Sequence, residues 1–373
     1  MGWYLIFLKL GIEGDIMKYY FERSIFFLLL YITCFLLIAP QTVLAEDSTS
    51  GIGYSYKIIK PENQVGSAGY FDLRMNPGQK QTVEVEITNI TNKDLAVDMA
   101  INTAKTNSNG VIEYGPTKIE NDPSLKHNIK DIVKVPKTVT LAPNATEKVA
   151  VEIEMPAERF EGYVAGGIYL QRAETEAEKK KNEKVKGVVN KYAFLIGMLL
   201  SESDVTMKPE LSFNKISAGL TNYRNAFMVN FSNIKAAYVE GMTVDVQIFK
   251  KGSEEVLYDS KKENLRMAPN SIMDFPVSLN GELLVAGDYT GHILITSGDQ
   301  KWEWNEDFTV TKEDADKYNA QDVSLIQERG INWKLISMIV GAVLAILLII
   351  YLAVRTISKK KKISKKKKKR KKQ

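Results

Sequence analysis

The sequence predicts an all-β fold: two immunoglobulin-like β-sandwich domains in tandem, followed by a single transmembrane helix. Short runs such as TVEVEIT (82–88), KVAVEIEM (148–155) and MTVDVQIFK (242–250) alternate apolar with polar residues, the two-residue period of a half-buried strand. Turn chemistry separates the runs. Asn76-Pro77-Gly78-Gln79 suits a type II turn, and Asn109-Gly110 is a hairpin signal. The chain also echoes itself: Ala142-Pro143-Asn144 precedes ATEKVAVEIEMP and FEGYVAGGIYL, and Ala268-Pro269-Asn270 precedes SIMDFPVSL and VAGDYTGHILI. Many short strands between regular turns read as sandwiches. The echo points to two similar ones, with Tyr163 and Tyr289 where a tyrosine corner falls.

The two ends set the expected topology. SIFFLLLYITCFLLIAP (24–40) follows Lys18 and Arg23 and precedes Val43-Leu44-Ala45, an A-x-A-like cleavage site. Residues 1–45 are therefore expected to be a signal peptide, with Met17 an alternative start. Leu335 to Val354 is a run of 20 uncharged residues. At about 1.5 Å per residue it spans about 30 Å, a bilayer core. Trp333 stands at one end as an interfacial aromatic. From Arg355 onward the chain carries 13 lysines and arginines and no acid, which leaves a net charge of −8 on residues 1–354. Excess positive charge marks the cytoplasmic side. The expectation is a cell-membrane protein with one span (333–354), a basic tail (355–373) on the anionic inner leaflet, and an ectodomain facing outward. The tail has no interleaved aromatics for base stacking, so it is not read as a nucleic-acid site.

Within the ectodomain the expected boundaries are 46–205 for the first sandwich, 206–312 for the second and 313–332 for a stalk. The break falls near Thr206–Pro209, with a boundary nearer 185 as the alternative. The charged stretch 172–187 reads as a long hairpin loop joining AGGIYLQ (165–171) to YAFLIGMLL (192–200), two central strands of one sheet.

Chemistry narrows the function by exclusion. The chain has two histidines, His127 and His292, and one cysteine, Cys34, inside the signal's apolar core. No HExxH, G-x-S-x-G or phosphate-cradling glycine loop occurs. The reading is a binding protein: no enzyme, no cofactor, no metal. An extracellular eukaryotic domain of this size would carry disulfides, so the missing cysteines point to a bacterium. Candidate binding residues are few. Glu62, Asn63 and Gln64 form a dense polar set in a loop, suited either to hydrogen-bonding a ligand or to capping their own backbone. Tyr70 and Phe71 are neighbours and face opposite ways if extended, one inward and one available as an anchor. Trp302 and Trp304 share a face of one strand and read as core more readily than as a binding platform.

KPENQVGSAGYFDLRMNPGQKQTVEVEITN, TNSNGVIEY and FEGYVAGGIYL resemble the first domain of the WxL-interacting proteins of Gram-positive bacteria. NKYAFLIGMLLSES, LRMAPNSIMDFPV, AGDYTGHILIT and KWEWNEDFTV resemble their second domain. The resemblance implies a non-enzymatic cell-surface protein. Its first domain would bind peptidoglycan, and its second would bind host extracellular-matrix protein. Secreted WxL-domain proteins are implied as partners on the wall. PENQ and GYFDL are hallmark segments of that first domain. A wall-sensing or accessory subunit of a membrane complex is the second reading.

Overall fold

The computed structural model describes residues 52–185, 187–327, 336–348 and 351. The expected signal peptide, the basic tail and parts of the expected membrane span lie outside the described residues. In chain order the first sandwich has β1 (Tyr54–Ile59), β2 (Phe71–Arg74), β3 (Lys80–Asn89), β4 (Leu95–Thr103), β5 (Lys105–Thr106) and β6 (Ile112–Glu113). Helix α1 (Ile129–Ile132), β7 (Val133–Lys134), β8 (Thr138–Leu141), β9 (Thr146–Glu154), β10 (Val164–Arg172), helix α2 (Glu176–Asn182) and β11 (Ala193–Ser201) follow. One sheet runs β1-β3-β9-β7 and the other β2-β11-β10-β4-β8. The alternation in β3 and β9 does what period two requires: Val83, Val85 and Ile87 enter the core with Val149, Val151 and Ile153. The residues between them face solvent, where Lys148 pairs with Glu84 at 3.5 Å.

The second sandwich has β12 (Leu211–Thr221), β13 (Arg224–Asn233), β14 (Val239–Lys250), β15 (Val256–Met267), β16 (Ser271–Ser278), β17 (Gly287–Ser297) and β18 (Gln300–Val310). Its sheets run β12-β13-β16 and β15-β14-β17-β18, around a core that holds Phe227, Phe231, Phe275 and Trp302. Helices α3 (Lys312–Gln321) and α4 (Val323–Gln327) follow. They pack on the second sandwich. Asn319 and Asp322 hydrogen-bond Asn225 at the start of β13, and Ala315 enters the core. Residues 336–348 are helical with exposed side chains; among the described residues no helix is long and apolar enough to cross a membrane.

The turns form as their residues dictate. Gly78 has φ +68° and Gln79 N–H donates to Asn76 O at 3.1 Å, a type II turn. The two Pro-Asn turns match: Asn144 and Asn270 are both left-handed, with φ of 56° and 47°. Tyr289 makes a corner bond, its hydroxyl donating to Val285 O at 2.8 Å. Tyr163 makes none among the described residues, and its ring packs on Tyr238 of the other sandwich, centroids 5.8 Å apart.

β10 and β11 pair antiparallel from Val164↔Leu200 to Gln171↔Ala193, so the charged stretch between them does connect neighbouring strands. That stretch also carries α2, which begins at a capping box: Glu178 N–H donates to Thr175 Oγ1, and Thr175 N–H donates to the Glu178 carboxylate.

The sandwiches share a buried junction. Ala104, Ala165 and Ala268 pack together, allowing close approach. Across it Tyr163 N–H donates to Ala236 O at 2.7 Å and Arg266 N–H to Gly110 O at 2.8 Å. Thr106 and Ser271 hydroxyls bond at 2.7 Å, and Ser232 Oγ donates to the Asp122 carboxylate.

Candidate functional site

The PENQ loop braces the edge strand β2. Asn63 Nδ2 donates to Arg74 O at 2.9 Å, and Asn63 and Gln81 exchange amide bonds at 3.0 and 2.8 Å. Gln64 Nε2 donates to Tyr70 O at 3.1 Å, while its Oε1 accepts from Asp72 N–H at 3.3 Å. Val65 N–H donates to Asp72 O at 2.6 Å. β2 pairs with only one full strand, β11, so its other edge has backbone groups to satisfy. Asn63 and Gln64 satisfy them, and are thereby turned toward the chain's own backbone. Glu62 remains exposed. Phe71 is fully buried and is not a surface anchor, whereas Tyr70 is exposed. Trp302 and Trp304 both face the second core: Trp302 is buried with its Nε1 donating to Glu210 at 3.2 Å, and Trp304 packs on Phe213. They stand apart from Tyr70, as members of the other sandwich's core.

What the braced strand presents is a cleft of 590 Å³ where the sandwiches meet. Its floor is the outer face of β11, with Leu195, Gly197 and Leu199, and its walls are Tyr70, Tyr114, Tyr163 and Tyr238. Asp72, Glu240 and Arg266 supply charge. Two glycines make room for two of the tyrosines. Gly167 and Gly197 are paired directly across β10 and β11. A Cβ on Gly167 would lie 2.8 Å from Tyr114 Cβ, and one on Gly197 would lie 3.4 Å from Tyr70 Cβ. Glycine within a strand often marks such close approach.

The second sandwich closes the cleft. Tyr114 and Tyr238 hydroxyls are 3.2 Å apart, and Arg266 pairs with Glu240 at 2.5 Å. Burial pushes the Tyr114 and Tyr163 hydroxyls up and the Tyr238 hydroxyl well up, so all three are neutral donors. Burial also raises the Asp72 carboxyl, opposed by the Arg74 guanidinium. Flat ring faces, neutral hydroxyls and a few carboxylates suit a ligand that has both apolar faces and many hydroxyls. No nucleophile–base pair lines the cleft, and no cluster of three metal-ligating side chains occurs among the described residues. Tyr114, Tyr238, Asp72, Glu240 and Arg266 were not legible as site residues from local pattern. The readable signal was indirect: glycines inside the otherwise apolar runs AGGIYL and LIGML.

Tandem sandwiches with a tyrosine-lined cleft at their junction define a binding protein. The chain belongs to the WxL-interacting proteins: residues 54–172 match the WxL Interacting Protein peptidoglycan binding domain, and residues 183–320 match the WxL Interacting Protein host binding domain. Both are binding domains rather than enzymes. The second match begins before β11, which lies in the first sandwich's sheet. No match to a curated protein was found. Solved structures with similarity include the class 5 fimbriae chaperone CfaA (12% identity, 68% of this chain, 99% of that one, TM-score 0.26). The E. coli chaperone DraB (12%, 69%, 98%, TM-score 0.25) and the Salmonella enterica SafA pilin–SafB chaperone complex (10%, 69%, 96%, TM-score 0.27) are others.

Proposed function

We propose that the protein is a membrane-anchored cell-surface adaptor that holds peptidoglycan glycan in the tyrosine cleft and presents its second sandwich to WxL-domain proteins or host extracellular protein. The observation that carries this reading is the cleft itself. Three of its four tyrosines, Tyr70, Tyr114 and Tyr163, and Asp72 lie in the stretch that matches the peptidoglycan binding domain, and its chemistry suits a sugar. Ring faces take the C–H faces of a hexose, Asp72 and Glu240 take hydroxyl protons, and Leu195 and Leu199 offer apolar surface to N-acetyl methyls. The other lining residues, Leu195, Gly197, Leu199, Tyr238, Glu240 and Arg266, lie in the stretch that matches the host binding domain, and the last three of them belong to the second sandwich, so a glycan seated here would touch both sandwiches. Anchoring is supported by the apolar run 335–354 and the basic tail that follows it.

The test is sedimentation of the ectodomain, residues 46–327, with purified sacculi, and its association with a WxL-domain protein. Retention on sacculi and capture by the WxL domain are expected. An ectodomain that does neither overturns the reading.

A further inference from the structure

We infer that the end of the second sandwich nearest α4 is a lipid-contacting foot that rests on the bilayer surface. This rests on the membrane-anchored reading above.

Four large apolar side chains are exposed at this end: Tyr223 (74%), Leu283 (58%), Val285 (62%) and Val323 (41%). They sit on three segments bolted to one another. Val323 N–H donates to Tyr223 O at 3.0 Å, and Asn225 N–H donates to the Asp322 carboxylate at 2.7 Å. Asn319 joins the third segment, exchanging bonds with Leu284 N–H and O at 2.8 and 2.9 Å. Leu284 is buried between its two exposed neighbours, so local alternation aims Leu283 and Val285 outward. Tyr223 is the second residue of the two-residue turn between β12 and β13, with φ +60°, where glycine is the unstrained choice. A tyrosine there puts a ring at the tip of the turn. Arg224 beside it is exposed and forms no ion pair among the described residues.

The occupant follows from where the chain goes next. Only eight residues, 328–335, separate Gln327 from the apolar helix at 336–348. Fully extended they reach at most about 28 Å. This end is therefore held within a short tether of the bilayer. Tyrosine and arginine beside aliphatic side chains is the composition that settles at the headgroup level, ring in the interface and guanidinium on phosphate.

The experiment uses the full chain in a Cys34→Ser background, reconstituted in phosphatidylcholine–phosphatidylglycerol vesicles. Single cysteines at Tyr223→Cys, Leu283→Cys and the distant exposed site Val111→Cys carry an environment-sensitive fluorophore. Expected are a blue shift and quenching by shallow doxyl-labelled lipid at 223 and 283, with neither at 111. Water-like spectra at 223 and 283 in protein that co-floats with vesicles overturn the foot alone. A blue shift without lipid quenching overturns it too, in favour of a protein contact. Protein that fails to float overturns the anchor on which the foot depends.

Discussion

Gly167 and Gly197 stand opposite each other on β10 and β11, and each has a tyrosine laid over it, Tyr114 and Tyr70. The missing side chains leave room on the outer sheet face for the ring of Tyr70 and for the Cβ and backbone of Tyr114, both of which line the cleft. The prediction is asymmetric. Gly197→Val places a branched side chain in the path of Tyr70, which is exposed and can swing aside. Sacculus retention should then fall about tenfold, the loss of ~1.4 kcal/mol of contact, with little change in thermal unfolding. Gly167→Ala meets Tyr114 Cβ at 2.8 Å and its backbone oxygen at 3.0 Å, so backbone must move. It should cost about 1–3 kcal/mol of stability in a urea titration.

Tyr114 and Tyr238 couple the sandwiches through their hydroxyls. A double-mutant cycle of Tyr114→Phe and Tyr238→Phe should give a coupling of about 0.5–1.5 kcal/mol in urea unfolding. Tyr238→Ala, a change in the second sandwich, should weaken sacculus retention as much as Tyr70→Ala in the first. Equal retention of Tyr238→Ala and wild type would confine glycan binding to the first sandwich.

The strands were legible where one face meets a core and the other meets water, as in TVEVEIT, because period two follows from that division. β15 was not. Its sequence VLYDSKKENLRM has an unbroken polar run, DSKKEN, at its centre because it is an edge strand with most side chains exposed. α2 hid inside a charged stretch, although Thr175 and Glu178 stand at capping-box spacing. PENQ was legible as special and undecided in role, since an amide that binds sugar and one that satisfies a strand edge look alike in sequence. The cleft was the least legible. Its tyrosines are scattered from position 70 to 238 and meet only because the junction brings the two sandwiches together.

The internal echo predicts a shared structural device. Asn89 donates to Lys93 O and Ala142 O at 2.8 and 2.9 Å; Asn233 donates to Ala237 O and Ala268 O at 2.7 and 2.9 Å. Each is fully buried and ties the end of a strand to the carbonyl before a Pro-Asn turn. Asn→Ala at either site leaves buried carbonyls without donors, at a cost of about 2–3 kcal/mol. The sites lie in separate sandwiches, so the double variant should be additive within about 0.5 kcal/mol in chemical denaturation.

Asp322 ties α4 to β13, and its titration should be visible in stability. The carboxylate is fully buried, and that burial alone would raise it. Hydrogen bonds from the Ser324 hydroxyl and from the N–H groups of Asn225, Ser324 and Leu325 outweigh burial and hold it below the ordinary carboxylate value. A group lowered in the folded state contributes stability above its unfolded pKa, about 3.9, and that contribution is lost as pH falls through the folded value. Asp322→Asn should therefore be less stable than wild type at pH 7, because a neutral amide accepts these four donors less strongly. The gap should close steadily in acid as wild type takes up its proton. Urea midpoints for the two proteins, measured from neutral to acid pH, check this; a gap that stays constant would show that the contacts of Asp322 do not depend on its charge.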